Sequence, residues 1–176
     1  MSLSFCTRFT QQPWLAPSPM PKSLLDAPWR EWLLHPDSLT QKLRDHAPGT
    51  FELTVLSERQ QRPTISEAQT LGISPRSRVQ IREVVMSLKG QRVVFARTVI
   101  PMSTLTGFER QLRSLNNKPL GEFLFTHPAM ERQPIEVKSG TLNGQPVWGR
   151  RSIFNLSHKP LLVSEFFLPD LFSINR

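Results

Sequence analysis

The fold is decided by residues 78–100, which read RVQIREVVMSLKGQRVVFARTVI. Two runs rich in β-branched residues, 78–88 and 91–100, flank Lys89-Gly90. A two-residue connection that contains glycine is typical of a tight β-hairpin. The sequence therefore predicts two antiparallel strands at the centre of this chain.

A second hairpin is predicted near the C-terminus. Residues 147–156 and 161–168 are again rich in apolar and β-branched side chains, and Ser157-His158 lies at the turn between them. Two shorter strands are predicted over 51–56 and 135–137. Strands that occur as adjacent hairpins favour an antiparallel sheet.

Helices are predicted before and between these strands, and one of them is capped by Asp37 or Ser38 and runs to His46. The other predicted helices cover residues 24–34, 103–115 and 119–125, with Pro119 at the first position of the last one. Residues 59–77 are polar and are predicted to form a loop with one helical turn after Ser66. This arrangement predicts an α+β fold rather than a doubly wound parallel sheet.

The chain has 176 residues, which predicts one domain over 24–176 preceded by an N-terminal arm, residues 1–23, rich in Pro, Ser and Gln. No apolar run reaches the roughly 18 residues of a membrane span, and no signal-peptide pattern is present. Cys6 is the single cysteine, so an internal disulfide is excluded. We therefore expect a cytoplasmic protein.

The net charge of +8 is compatible with nucleic acid, an acidic membrane surface or an anionic small molecule as partner. The basic residues form no run of five, and neither a zinc-finger spacing nor an RNA-binding signature is present. The four histidines lack metal-ligand spacing, and there is no phosphate-binding glycine motif. These observations favour a small anion over nucleic acid and give no indication of a metal.

Charged residues lie inside the predicted strands. Glu165 interrupts the apolar run 161–168, and Arg82 and Arg97 interrupt the two strands of the central hairpin. Burying an unpaired charge costs several kcal/mol or more, so each of these groups needs a partner. The partners are either one another or a bound anion.

Regular pairing predicts which strand residues face each other. In the central hairpin, unbroken pairing from Leu88 and Gln91 places Arg82 opposite Arg97. Two opposed arginines on an apolar face would bind an anion between their planar forks, or would be solvated, or would pair with glutamates. In the second hairpin Glu165 lies opposite Arg150, which makes Glu165 either half of a structural salt bridge or a general acid or hydrogen-bond acceptor for a substrate hydroxyl.

The backbone around Lys118-Pro119-Leu120-Gly121 is a further candidate for anion binding. Residues at a helix start present N–H groups that have no partner within the helix, together with a partial positive charge. Many helix starts interact in this way with water alone, so a bound ligand and plain solvation remain open here.

Several motifs in this chain occur in the same order in a known family. They are Arg97-Thr98-Val99-Ile100-Pro101, Ser103-Thr104-Leu105, Pro119-Leu120-Gly121 with Leu124-Phe125, Trp148-Gly149-Arg150-Arg151-Ser152, Lys159-Pro160-Leu161-Leu162 and Glu165-Phe166-Phe167-Leu168-Pro169. From about Leu24 to Pro169 the chain resembles the bacterial chorismate pyruvate-lyase family.

The resemblance implies an antiparallel sheet of about six strands with helices outside and two helical flaps over an enclosed ligand. It implies conversion of chorismate to 4-hydroxybenzoate and pyruvate, for ubiquinone synthesis, by a monomer with no metal or cofactor. Arg82 would bind the ring carboxylate, with a backbone contact from Leu120, and Glu165 would meet the product hydroxyl. Leu39 stands where the family has a ligand-contacting methionine. Arg97 would assist the clamp or bind the pyruvyl carboxylate, and slow product release, with inhibition by 4-hydroxybenzoate, is expected.

Two other classes remain as alternatives. Effector domains of bacterial winged-helix repressors have a similar fold and bind small anions without chemistry. Such a repressor also needs a DNA-binding domain of roughly 70 residues, which residues 1–23 are too short to form. A basic nucleic-acid-associated protein would instead show salt-sensitive DNA binding.

Overall fold

The computed structural model describes residues 13–16, 27–142 and 144–174, and in this part of the chain seven strands form one antiparallel sheet. The strands are β1 (Phe51–Gln61), β2 (Val79–Leu88), β3 (Gln91–Pro101), β4 (Met130–Arg132), β5 (Glu136–Leu142), β6 (Gln145–Leu156) and β7 (Lys159–Phe167). Their order across the sheet is β1-β2-β3-β7-β6-β4, and β5 also pairs with β6. The predicted α+β class with an antiparallel sheet is confirmed.

The helices are short and pack against the sheet. They are α1 (Ala27–Leu33), α2 (Leu39–His46), α3 (Ile65–Leu71), α4 (Leu120–Thr126) and two 3-10 helices, Gly107–Ser114 and Pro169–Ser173. Within the described ranges, no helix has the length and apolar character that crossing a bilayer requires.

One face of the sheet, which carries Arg82, Val84, Ala96 and Glu165, is called the cavity face here. Two apolar clusters cover it. The first joins β2 and β3 to α1 and α2 through Trp32, Leu33, Leu39 and Leu43, all at most 5% exposed. The second joins β6 and β7 to the first 3-10 helix and α4 through Leu112, Leu124, Phe154 and Leu161.

The opposite face is covered by α3 and by the described part of the N-terminal arm. Leu15 and Val137 exchange two backbone hydrogen bonds of 2.9 and 2.8 Å, and the Trp14 ring packs against Phe166. Gly149 allows this packing, because a Cβ there would lie 2.8 Å from the Phe166 ring. The remainder of the predicted arm lies outside the described residues.

The prediction for residues 59–77, a loop with one helical turn after Ser66, is only partly correct. Strand β1 continues to Gln61, and α3 follows from Ile65. Thr64 and Glu67 form a capping box, in which each side chain accepts a hydrogen bond from the other residue's backbone N–H. The Thr-x-x-Glu spacing was visible in the sequence, so this helix start could have been predicted.

Other boundaries also differ from the predictions. The helix predicted over 103–115 is a 3-10 helix of residues 107–114, and the helix predicted over 24–34 is α1, with 24–26 outside the described residues. Pro119 is the N-cap of α4 rather than its first residue, and the strand predicted over 135–137 extends to Leu142. Strand β4 was not predicted, because three residues are too few to show an alternating pattern.

Candidate active site

A cavity lies between the cavity face and the helices α2 and α4, which together are called the roof. The roof contributes the starts of both helices, and the floor consists of alternate residues of four neighbouring strands. The floor residues are Arg82, Val84 and Met86 of β2, Ala96 and Thr98 of β3, Val163 and Glu165 of β7, and Arg150 and Phe154 of β6.

Strand register orders the charged groups of the floor. Arg82 pairs with Thr98, and Ala96, two residues away on β3, pairs with Glu165. With about 4.8 Å between strands and about 3.3 Å per residue, the Cα atoms of Arg82 and Glu165 lie roughly 12 Å apart. The two side chains therefore stand on the same face of the sheet, with strand β3 between their strands.

Arg82 is 2% exposed and is held on two sides. Its Nη1 donates to Glu58 Oε2 at 3.0 Å, and its Nη2 donates to the carbonyls of Asn116 at 2.6 Å and Lys118 at 3.1 Å. Burial lowers the pKa of Arg82, and the charge of Glu58 opposes that shift. The guanidinium is thus bound to the segment that leads directly into α4.

The start of α4 therefore lies close to Arg82. Leu120 is the first residue of this helix and lines the cavity, and no side chain caps the helix at Pro119. Backbone N–H groups in the first turn of a helix lack intrahelical partners, so they can bind an anion together with a nearby guanidinium. This geometry brings together the two elements that the sequence singled out separately, Arg82 and the Pro-Leu-Gly motif.

The two roof helices approach each other at Gly121. A Cβ at this position would lie 3.1 Å from Ser38 Oγ and 3.3 Å from Thr40 Oγ1, so a larger residue would require these hydroxyl groups to shift. Ser38 caps α2 by accepting a hydrogen bond from the Gln41 N–H, and Leu39 lines the cavity at the first position of that helix. The predicted site residue Leu39 thus belongs to the cavity wall.

Glu165 lies at the middle of the floor. Its Oε2 accepts a hydrogen bond of 2.6 Å from Nε of Arg150, and the predicted pairing of these two residues across the second hairpin is confirmed. Within the described residues, Oε1 of Glu165 makes no hydrogen bond. The carboxylate is therefore oriented by one oxygen and has the other available for a ligand.

Arg97 is not part of this cavity. A β-bulge between β2 and β3 pairs Met86 with Val94 and Ser87 with Arg92, so Val93 is left over and the register shifts by one residue. The predicted opposition of Arg82 and Arg97 is therefore wrong, since a one-residue shift moves a side chain to the other face. Arg97 lies on the opposite face and binds Glu67 at 2.7 Å and Glu83 at 2.8 Å. The clamp and pyruvyl-binding roles expected for Arg97 do not fit this position.

Arg132 lines the cavity and was missed by the sequence analysis. Burial, followed by the charge of Arg150, lowers the pKa of Arg132 to about 10, so the side chain is still a cation at neutral pH. Its strand, β4, has only three residues, and Arg132 stands among polar neighbours in the sequence. No periodicity or motif pointed to it, and only the pairing of Arg132 with Phe154 on β6 places it at the site.

Fold and cavity together define an α+β domain with a partly enclosed site that carries arginines on both sides of a glutamate. The effector domain of PhnF from Mycobacterium smegmatis has the same fold, with a TM-score of 0.55, 12% identity, and coverage of 76% of this chain and 90% of that one. The C-terminal domain of a histidine utilization repressor from Pseudomonas syringae gives a TM-score of 0.51, 13% identity, and coverage of 68% and 91%. Identities this low establish a shared fold only.

The sequence comparisons are more specific. The family model for chorismate lyase matches residues 10–176. A protein named probable chorismate pyruvate-lyase from Marinobacter nauticus is 41% identical over 152 residues, which cover 85% of this chain and 81% of that protein. Another of that name from Methylococcus capsulatus is 36% identical over 155 residues, with coverage of 81% and 96%. This chain belongs to the chorismate lyase family and is an enzyme of the lyase class.

Proposed function

We propose that the protein is a chorismate pyruvate-lyase that converts chorismate to 4-hydroxybenzoate and pyruvate for ubiquinone synthesis. Family membership supports the reaction class. The observation that carries the assignment of residues is the placement of Arg82 and Glu165 on one face of a partly enclosed cavity, two strands apart.

The ring carboxylate of the substrate binds at the Arg82 end. The guanidinium of Arg82 is fixed by Glu58 and by the carbonyls before α4, so it needs little reorganisation to bind an anion. The backbone N–H groups at Leu120 add donors on the same side. Leu39 closes the roof above the ring.

Glu165 acts at the other end of the ring. In the reaction the bond between ring C3 and the ether oxygen breaks, the proton on C4 leaves, and the ring becomes aromatic. Enolpyruvate departs and takes up one proton to become pyruvate, so atoms and charge balance. Glu165 accepts a hydrogen bond from the C4 hydroxyl or, when protonated, donates to the ether oxygen, while Arg150 holds the carboxyl group in place.

Aromatisation supplies the driving force, so we propose that the reaction requires neither a metal nor a cofactor. The enzyme contributes orientation, exclusion of water and stabilisation of the negative charge that develops on the leaving oxygen. A roof that closes over the ring makes product release slow, with inhibition by added 4-hydroxybenzoate. For the oligomeric state we predict a monomer, and for the cellular location the cytoplasm.

The deciding experiment mixes the purified protein with chorismate in buffer containing EDTA and quantifies both products by chromatography. Equimolar formation of 4-hydroxybenzoate and pyruvate is the expected result. A rate equal to that of the uncatalysed control would overturn the proposal.

The arginines that line the cavity are compatible with one other function, which is binding of a small anion without chemistry. This alternative predicts no product, while chorismate or 4-hydroxybenzoate raises the melting temperature. Thermal melts run beside the chromatography separate the two functions.

A further inference from the structure

The guanidinium of Arg132 is only partly engaged. Its Nε donates to Ser152 Oγ at 3.1 Å, and its Nη1 donates to the carbonyls of Pro36 at 2.7 Å and His35 at 3.4 Å. Within the described residues, Nη2 has no hydrogen-bond partner. The Nη1 side of the guanidinium thus anchors the segment before α2, and Nη2 is available to bind a ligand.

Arg132 differs from the other arginines of the cavity in its counter-charge. Arg82 is paired with Glu58, and Arg150 is paired with Glu165. Arg132 makes no ion pair with a carboxylate in the described ranges. The carboxylates that act on it, Glu165 and Asp37, do so from beyond ion-pair distance, and Arg150 opposes them. The Phe154 ring lies 5.1 Å from Cζ of Arg132, but no carboxylate of the described residues pairs with this partly buried cation, so the guanidinium can bind an anion.

Arg132 and Arg150 share one backbone carbonyl as a hydrogen-bond acceptor. The His35 oxygen accepts a hydrogen bond from Nη1 of Arg150 at 2.7 Å and a longer one from Nη1 of Arg132 at 3.4 Å. Arg132 is therefore adjacent to the Arg150–Glu165 pair. Arg82 stands on the other side of Glu165, because β2 and β4 lie two strands away from β7 in opposite directions.

We infer that Arg132 binds the second carboxylate of a dianionic substrate, the one on the side chain that leaves. The inference rests on the proposed function and deepens it. Chorismate has one carboxylate on the ring and one on the enolpyruvyl group, and the cavity offers one arginine on each side of the reacting centre.

The two arginines should differ in their effect on substrate and product. The aromatic product keeps the ring carboxylate and has lost the other one. Arg82 therefore contributes to binding of both molecules, and Arg132 contributes to binding of the substrate alone. If Arg132 only anchors residues 35–36, its replacement would weaken the binding of substrate and product to the same extent.

The test compares Arg132→Gln with wild type in chorismate kinetics and in calorimetric affinity for 4-hydroxybenzoate. Loss of one hydrogen bond to a charged group should raise KM for chorismate about 10- to 100-fold. The dissociation constant of 4-hydroxybenzoate should stay within about threefold of wild type, since that ligand makes no contact with Nη2. Arg151→Gln is the matched control, because Arg151 is a buried arginine on the opposite face, paired with Glu136.

Equal weakening of substrate and product, or an unchanged KM, overturns the inference. If Arg132→Gln does not fold, KM for chorismate and the affinity for 4-hydroxybenzoate are measured for Arg132→Lys instead. A smaller rise in KM is expected for that variant. If wild type forms no product, the proposed function fails by itself. The calorimetric affinities of chorismate and 4-hydroxybenzoate for wild type and variant then decide the second-carboxylate site separately.

Discussion

Arg150 donates from Nε to Glu165 Oε2 at 2.6 Å, and the same guanidinium donates from Nη1 to the His35 carbonyl at 2.7 Å. Arg150 is 1% exposed, so its orientation is fixed by these contacts at the end of α1. The carboxylate of Glu165 is consequently held by a group that has almost no freedom to move. This arrangement preorganises Glu165 without using both of its oxygens.

Glu165→Gln should lower kcat for chorismate by about 100-fold or more. The amide cannot donate a proton to the ether oxygen, and it is a weaker acceptor than a carboxylate for the C4 hydroxyl. The matched control is Glu136→Gln. Glu136 accepts a hydrogen bond of 2.6 Å from Arg151, the next residue along β6, on the opposite face of the sheet. Steady-state kinetics of both variants check the prediction, and a similar kcat in the two would refute a catalytic role for Glu165.

Arg82→Gln should weaken the binding of chorismate and of 4-hydroxybenzoate by at least about 10-fold each, because both molecules carry the ring carboxylate. Calorimetry with the product and kinetics with the substrate provide the measurements. Thermal melts should accompany them, since Arg82 also binds Glu58 and two backbone carbonyls. Retained product affinity in a folded variant would count against Arg82 as the ring-carboxylate ligand.

Arg97→Met should reduce the free energy of unfolding by about 3–5 kcal/mol, because Glu67 and Glu83 would remain buried without their shared cation. Urea denaturation at neutral pH measures the loss. Replacing both glutamates by Gln in the same protein should restore much of the stability. The folded Arg97→Met enzyme should keep its KM for chorismate, and a large rise in KM would show that Arg97 contributes to the site.

A surface ion pair connects the two roof helices. Arg44 of α2 and Glu122 of α4 approach to 2.6 Å, with side chains 42% and 46% exposed. Such pairs contribute at most about 1 kcal/mol, which is enough to change a release rate by a few fold.

Arg44→Glu should therefore accelerate dissociation of 4-hydroxybenzoate about two- to fivefold. The double charge swap Arg44→Glu with Glu122→Arg should return the rate towards wild type. Stopped-flow measurement of the 4-hydroxybenzoate dissociation rate at low and high salt checks the single and the double variant. Identical rates in the single variant and wild type at low salt would exclude the ion pair from the opening of the roof.

The environment of Glu109 leads us to expect that the protein becomes less stable in acid. A hydrogen bond from Lys159 at 2.6 Å lowers the pKa of Glu109 below its ordinary value of 4.5, although burial acts in the other direction. A carboxyl group whose pKa is lowered by folding stabilises the protein above its unfolded pKa, and this contribution is lost as the pH falls through the folded pKa. The urea midpoint should thus decrease below about pH 4.5, and Lys159→Met should make that decrease smaller.

Short-range pattern in the sequence predicted the pairing of the second hairpin correctly. Regular pairing from the Ser157-His158 turn placed Glu165 opposite Arg150, because β6 and β7 pair without a bulge. The same reasoning failed in the central hairpin, where Val93 is the extra residue of a bulge. A bulge depends on how the sheet packs and twists, so alternation of residue types within one strand does not reveal it.

The sequence by itself determined the α+β class, both hairpins and the Arg150–Glu165 pair, because these follow from local pattern. It also predicted Arg82, Glu165, Leu39 and Leu120 as site residues, Leu39 through the resemblance to a known family alone. Only the tertiary structure decided which charges share a cavity. It placed Arg97 on the opposite face with two glutamates, and it placed Arg132, from a three-residue strand, beside Glu165. The physical reason is that the face on which a strand residue lies depends on register, and register depends on contacts between residues far apart in the chain.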